Sequence, residues 1–200
     1  DVNADGLEYV YIAGSPKHPG QLYLQNANGS FVKKRIPVFE QYADFEDVAV
    51  LFFDADKDGD KDLFVGAGGN NIQIGNRIFQ HRLYVNDGKG NFRIDVNAFG
   101  NNEMNIAVAT ADDFDHDGDQ DLFVGARSFP GNYGITPQSY LYVNDGKGHF
   151  KDMAKDKNPD IAGIGMVTGA VWANIAGDAS KELVIVGEWM SPKIYSFDKD

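Results

Sequence analysis

Asp54, Asp56, Asp58, Asp60 and Asp62 occupy alternate places of a nine-residue stretch with Gly59 at its sixth place. Asp113, Asp115, Asp117, Asp119 and Asp121 repeat the arrangement around Gly118. Like charges about 4 Å apart repel by on the order of 1 kcal/mol per pair in water and about 4 kcal/mol at a protein-surface dielectric. Something cationic must sit among them. Lys57 and Lys61 can partly neutralise the first stretch, but the second has His116 and Gln120 at those places, so side-chain cations are not the shared answer. Alternation puts the first three carboxylates on one side of a tight turn, and the glycine permits a sharp reversal. The carbonyl of the seventh residue (Asp60, Asp119) and the carboxylate of the ninth (Asp62, Asp121) then complete a hard oxygen cage. About six to eight such ligands suit Ca²⁺, whereas Mg²⁺ demands stricter octahedral geometry and keeps water.

An EF-hand shares the start of this pattern but needs a bidentate Glu at its twelfth place between two helices. Here the twelfth places are Val65 and Val124, inside strand-like runs. The competing bland reading, solvated turn-forming Asp, fits one loop better than two in register. A third, weaker site is expected at Asp1, Asn3, Asp5 and the carbonyl of Leu7, where Tyr9 stands at the ninth place. A fourth loop keeps Asn174, Asp178 and Glu182 but has Ala176 and Ala179 at the third and sixth places, and is read as metal-free.

The elements that position these loops repeat with them. The stretch from Asp54 to Ala67 recurs from Asp113 to Ala126, a shift of 59, and Leu83-Tyr-Val-Asn-Asp-Gly-Lys-Gly-Asn-Phe92 returns at Leu141 to Phe150, a shift of 58. Within each unit an apolar run enters the acidic loop (48–53, 107–111, 167–173) and another leaves it (63–65, 122–124, 183–186). Two further runs flank Asp-Gly, a strong hairpin signal. No segment carries a 3.6-residue apolar period with caps at both ends. Four-stranded units of this length predict an all-β chain of antiparallel propeller blades. The units are 1–44 (partial), 45–103, 104–163 and 164–200 (partial), one domain of about 3.5 blades. Closed propellers hold roughly four to eight, so the chain reads as an excerpt whose two outer faces are apolar and prone to self-association.

Composition fits this. Of 30 acidic residues 24 are Asp and six Glu, against 18 basic ones, for a net charge of −12. Asp favours turns and short-armed oxygen ligation over helices, and ten of the 24 lie in the two loops. Two bound Ca²⁺ would bring −12 to about −8. An acidic surface argues against nucleic acid and anionic membrane as partners. The absence of Cys removes disulfides and thiolate metal sites. No run approaches the roughly 18 apolar residues of a membrane helix.

The pattern Asp-x-Asp-x-Asp-Gly-Asp-x-Asp-Leu-Phe-Val-Gly, followed by Leu-Tyr-Val-Asn-Asp-Gly-x-Gly-x-Phe, resembles the FG-GAP or VCBS repeats of integrin-α-type propellers, particularly the bacterial exported versions. The likeness is strongest over 45–155. It implies a seven-bladed ring and Ca²⁺ held by places one, three, five, seven and nine of each loop.

All side chains of each cage come from one short loop and no nucleophile recurs beside it, so the metal reads as structural. Exported compartments hold enough calcium for weak sites of about 10⁻⁴ to 10⁻³ M, which points to a periplasmic, cell-surface or secreted protein. In a four-stranded meander the acidic loops and Asp-Gly hairpins share one face. The opposite face carries the long connections 66–82 and 125–140 with Asn70, Asn71, Gln73, Arg77, Phe79, His81, Arg127, Phe129, Asn132 and Tyr133, groups suited to a protein or glycan ligand. The leading expectation is a non-catalytic binding scaffold. The alternative is part of a propeller-type polysaccharide lyase or hydrolase, for which His81 is the histidine nearest the long connections. Trp172 is read as packing between blades.

Overall fold

Leu63-Phe64-Val65 and Leu122-Phe123-Val124 are apolar at three successive places, a pattern that suits a short strand covered on both faces. The computed structural model describes residues 1–69, 77–178 and 180–197 and places both runs in that situation. Strands β1 (Tyr9–Ile12), β2 (Gln21–Gln25) and β3 (Phe31–Lys34) form the first sheet. The second holds β4 (Asp47–Phe53), β5 (Asp62–Ala67), β6 (Arg82–Asn86) and β7 (Phe92–Asp95). The third holds β8 (Asn105–Asp112), β9 (Asp121–Ser128), β10 (Tyr140–Asn144) and β11 (Phe150–Asp152). The fourth holds β12 (Met166–Ala173), β13 (Glu182–Glu188) and β14 (Lys193–Tyr195). Each sheet is an antiparallel meander in chain order, so the chain is all-β and built of propeller-like blades. The sheets do not close into a ring.

Successive blades stack through three cores, one at each junction. Leu22 and Phe39 meet Leu63, Val65 and Tyr84 at the first. Phe53, Phe64 and Leu83 meet Leu122, Val124 and Tyr142 at the second. Phe123 and Leu141 meet Val167, Trp172 and Leu183 at the third. Alternation along β5 therefore sends Leu63 and Val65 one way and Phe64 the other. The glycine of each Val-Gly-Ala marks the closest approach. A β-carbon on Gly125 would lie 2.5 Å from Val167 Cγ1, and one on Gly66 would lie 3.1 Å from Ile106 Cγ2. Register shifts recur at matching places, between Asp47 and Ala49, Ile106 and Val108, and Val167 and Gly169, which is the repeat expressed in backbone geometry.

Among the described residues three four-residue helices sit in the connections: α1 (Pro37–Glu40), α2 (Ala154–Lys157) and α3 (Pro159–Ala162). They are too short to show a helical period in sequence. Local chemistry makes two of them, with proline opening α1 and α3 and the Asn158 side chain accepting from the Asp160 N–H at 3.2 Å. The outward faces of the first and last sheets expose Val10, Ile12 and Phe31, and Val171, Val186 and Ile194. Among the described residues no helix is long and apolar enough to cross a membrane.

Candidate metal centres

The acidic loops at 54–62 and 113–121 are the turns between the first two strands of their sheets, β4–β5 and β8–β9, and a common backbone shapes them and the loop that leads into β1. The fourth place is left-handed in every case (Ala4 φ 58°, Lys57 φ 63°, His116 φ 61°), and so is the sixth (Gly6 φ 78°, Gly59 φ 91°, Gly118 φ 93°). The N–H of the sixth residue donates to the first carboxylate: Gly59 to Asp54 Oδ2 and Gly118 to Asp113 Oδ2, both at 3.1 Å. The seventh N–H donates to the fifth carboxylate, Asp60 to Asp58 Oδ1 at 3.0 Å and Asp119 to Asp117 Oδ1 at 3.1 Å. These bonds turn carboxylate oxygens inward. Oxygens of Asp54, Asp56 and Asp58 lie within 4.8 Å of one another, as do those of Asp113, Asp115 and Asp117.

The inward oxygens are left bare. Asp54 Oδ1, Asp56 Oδ1 and Asp60 Oδ1 in the first loop, and Asp113 Oδ1, Asp115 Oδ1, Asp119 Oδ1 and Asp121 Oδ2 in the second, are buried without a hydrogen-bond partner. Buried carboxylate oxygens without donors are costly. Burial, followed by repulsion from Asp58, Asp56 and Asp54, pushes Asp60 up to about 6, and burial pushes Asp62 and Asp121 up to about 7. A hard divalent cation supplies what the protein's donors do not, so the residues present fit the expected Ca²⁺. The side chains of Asp60 and Asp119, credited from sequence only with their carbonyls, thus bring an oxygen of their own to each loop.

Asp62 and Asp121 have a second duty. Both are fully buried. Asp62 accepts from Asn86 N at 2.8 Å and Ala55 N at 2.9 Å, and Asp121 accepts from Asn144 N at 2.9 Å. They tie the acidic loop to the Asp-Gly hairpin, which confirms that the two share one end of the blade. In the fourth loop Glu182 accepts from Ile175 N at 2.7 Å, the counterpart of the Asp62 bond to Ala55 within its own loop, with Ala179 outside the described residues. The first loop differs at its third place, where Asn3 stands for Asp56 and Asp115 and turns its amide to Asp5 Oδ2 at 3.0 Å.

Lys57 does not neutralise its own loop as its charge count implied. Its Nζ reaches the next blade, 3.5 Å from Asp119 Oδ2, while Asp119 Oδ1 stays bare. The left-handed backbone at Lys57 is what throws the side chain across.

The opposite ends of the strands carry the remaining candidates. Arg127 and Tyr133 are exposed and converge on Glu188 of the next blade, Arg127 Nη2 at 2.6 Å from Oε1 and the Tyr133 hydroxyl donating to Oε2. Phe129 packs against the second core. Phe79 and His81 are both buried, and His81 lines a cavity together with Tyr42, Phe45 and Arg82. The His81 ring lies 5.3 Å from Tyr140 and 5.5 Å from Phe64, and burial, with Arg82 adjacent, drives its pKa down to about 3. Arg77 begins a 3-10 turn, Arg77–Phe79. Asn70, Asn71 and Gln73 lie outside the described residues. Asn132 donates to Pro130 O at 3.3 Å within its own turn. Trp172 packs at the third junction, stacked 6.0 Å from Phe114. Sequence reasoning passed over Glu188 and Trp189, since the last unit looked like a degenerate copy.

Stacked antiparallel blades, the two middle ones each with an acidic turn whose carboxylates could hold a cation, define a repeat protein. Residues 1–65 match the FG-GAP-like repeat family and residues 104–143 match the FG-GAP repeat family, together just over half of the chain. The chain belongs to the FG-GAP repeat family. No curated protein matches it.

Proposed function

We propose that this chain is a calcium-stabilised scaffold of propeller blades, working outside the cell or at its surface, whose face opposite the acidic loops binds a protein or glycan ligand. The observation that carries the reading is the set of bare, buried carboxylate oxygens in two loops of identical backbone shape. Each cage draws on a single loop and lies at a blade's turn, so a bound ion would pin two strands and add its binding free energy to folding. Weak oxygen sites of this kind fill where calcium is near millimolar, which favours an exported setting, as the family does. The apolar outer faces at Val10, Ile12 and Phe31 and at Val171, Val186 and Ile194 favour packing on further blades or self-association.

Thermal unfolding with calcium and with chelator is the test. At free Ca²⁺ about 100-fold above Kd, each site adds about 2.7 kcal/mol, and the melting temperature should rise accordingly. Asp58→Ala and Asp117→Ala should each remove part of the rise, and the double variant all of it. A melting temperature indifferent to calcium and chelator overturns the reading.

A further inference from the structure

Trp189 stands in the turn after β13 with φ 57° and 79% of its surface exposed. A bulky side chain rarely takes a left-handed backbone, where glycine or asparagine is the economical choice, and an exposed ring that adjoins a second exposed ring, as Trp189 adjoins Tyr133, makes a contiguous patch of the kind that marks a binding surface. Here both occur at one residue. One side of the indole is supported: its ring lies 5.8 Å from that of Tyr133 at 73°, and a β-carbon on Gly134 would be 3.5 Å from Cζ3. Tyr133 is itself 53% exposed. Beside the pair the guanidinium of Arg127 bonds Glu188 through Nε at 3.1 Å and Nη2 at 2.6 Å, and Tyr133 donates to the same carboxylate. Continuous with Arg127 and Tyr133 is a cavity of about 390 Å³ that Glu46, Gly69, Asn105 and Ser128 also line. All of this lies at the strand ends away from the acidic loops.

We infer that Trp189, Tyr133, Arg127 and Glu188 form a binding site for a neutral pyranose of a glycan chain. This rests on the binding-scaffold reading and names its ligand class and place. The cavity is in the size range of small-ligand sites, roughly 300 to 1,000 Å³, and is concave where a protein interface would be flat. Aromatic rings supply an amphipathic platform for the C–H face of a sugar ring. Arg127 brings donors, and Glu188 and Glu46 bring acceptors, the mixed set that hydroxyl groups need. Two carboxylates to one guanidinium, on a chain of net charge −12, disfavour uronates and sulfated sugars.

An array carrying neutral hexose and N-acetylhexosamine oligomers, uronate polymers and basic peptides is the first experiment, followed by fluorescence titration with the strongest neutral binder. The chain has two Trp, and Trp172 is buried in a core, so ligand quenching reports on Trp189. Trp189→Ala should weaken binding about tenfold or more, Trp189→Phe should largely restore it, and the calcium-dependent rise in melting temperature should persist in both. Binding of neutral glycans unchanged in Trp189→Ala, binding confined to uronates or basic peptides, or no neutral glycan bound at all would each overturn the inference. Loss of the calcium response with Trp189-dependent sugar binding intact would instead overturn the metal half of the scaffold reading and leave this site standing.

Discussion

Asn144 donates from Nδ2 to the carbonyl of Ala55, 89 residues earlier, at 2.9 Å, and from the same nitrogen to Gln120 O at 3.0 Å. One amide thus joins its own acidic loop to the acidic loop of the preceding blade. Asn86 repeats the contact one blade earlier, reaching Val2 O at 2.7 Å and Lys61 O at 3.2 Å. Each hairpin asparagine is therefore a rivet between blades as well as a turn former.

Asn144→Ala leaves one buried carbonyl, Ala55 O, and one part-buried carbonyl, Gln120 O, without that donor. Unpaired buried polar groups cost about 1–3 kcal/mol each, so the variant should lose about 2–4 kcal/mol in urea unfolding. A loss below about 0.5 kcal/mol, the size of an ordinary surface substitution, would mean that the blades do not depend on this bond.

A second tie lies at the far end of the blades. Asp47 accepts from Gly14 N at 2.8 Å, from the Tyr11 hydroxyl at 2.9 Å and from Arg82 Nη2, and Arg82 stacks 4.4 Å from the Phe45 ring centre. Acid and base are both buried. Asp47→Ala strands a buried guanidinium and should cost about 3–5 kcal/mol, whereas Asp47→Leu with Arg82→Met should be much milder. Equal losses in the single and double variants would show that Asp47 acts through its bonds to the first blade alone.

What could be read from sequence was what repeats locally. Alternating Asp, Asp-Gly turns and apolar runs specify loops, hairpins and strands through neighbours in the chain, and the structure places them there. Contacts made across blade junctions left weaker traces. Nothing about Lys57 in its own loop says that it will lie against Asp119, and His81 looks like a surface group until Phe64, Phe99 and Tyr140 close around it. Trp189 was invisible for a different reason: its environment comes from Tyr133 and Gly134 in the preceding unit, far away in sequence.

His81 also sets an acid limit. Its pKa falls from the ordinary 6.5 to about 3 in the folded chain, while the unfolded chain keeps the ordinary value. Between those values the unfolded state binds a proton that the folded state refuses, so the stability it contributes is full above pH 6.5 and declines as the pH falls towards 3. At pH 5 the deficit is about 2 kcal/mol. His81→Phe keeps an aromatic ring in the cluster and removes the titration. The stability difference between variant and parent should shift in the variant's favour by about that amount from pH 8 to pH 5, measured by urea unfolding; a constant difference would mean that the ring is solvated.

Lys57 couples the two acidic loops through charge. Its ammonium lies 3.5 Å from Asp119 Oδ2, on the outer side of a carboxylate whose other oxygen is bare and buried. With no ion bound, Lys57 relieves the second loop's repulsion; with a divalent ion bound, two positive charges share one carboxylate. Lys57→Gln should therefore tighten calcium binding at the second loop while lowering the stability of the metal-free protein. The Lys57 side chain is 44% exposed, so screening limits the gain to about 1 kcal/mol, a few-fold in Kd, at low salt, shrinking as ionic strength rises. Calorimetric titration of the Asp58→Ala background, which leaves the second loop as the principal site, at low and high salt reads it directly. Weaker binding in Lys57→Gln would mean that the side chain holds the loop's shape, and that packing outweighs charge at this junction.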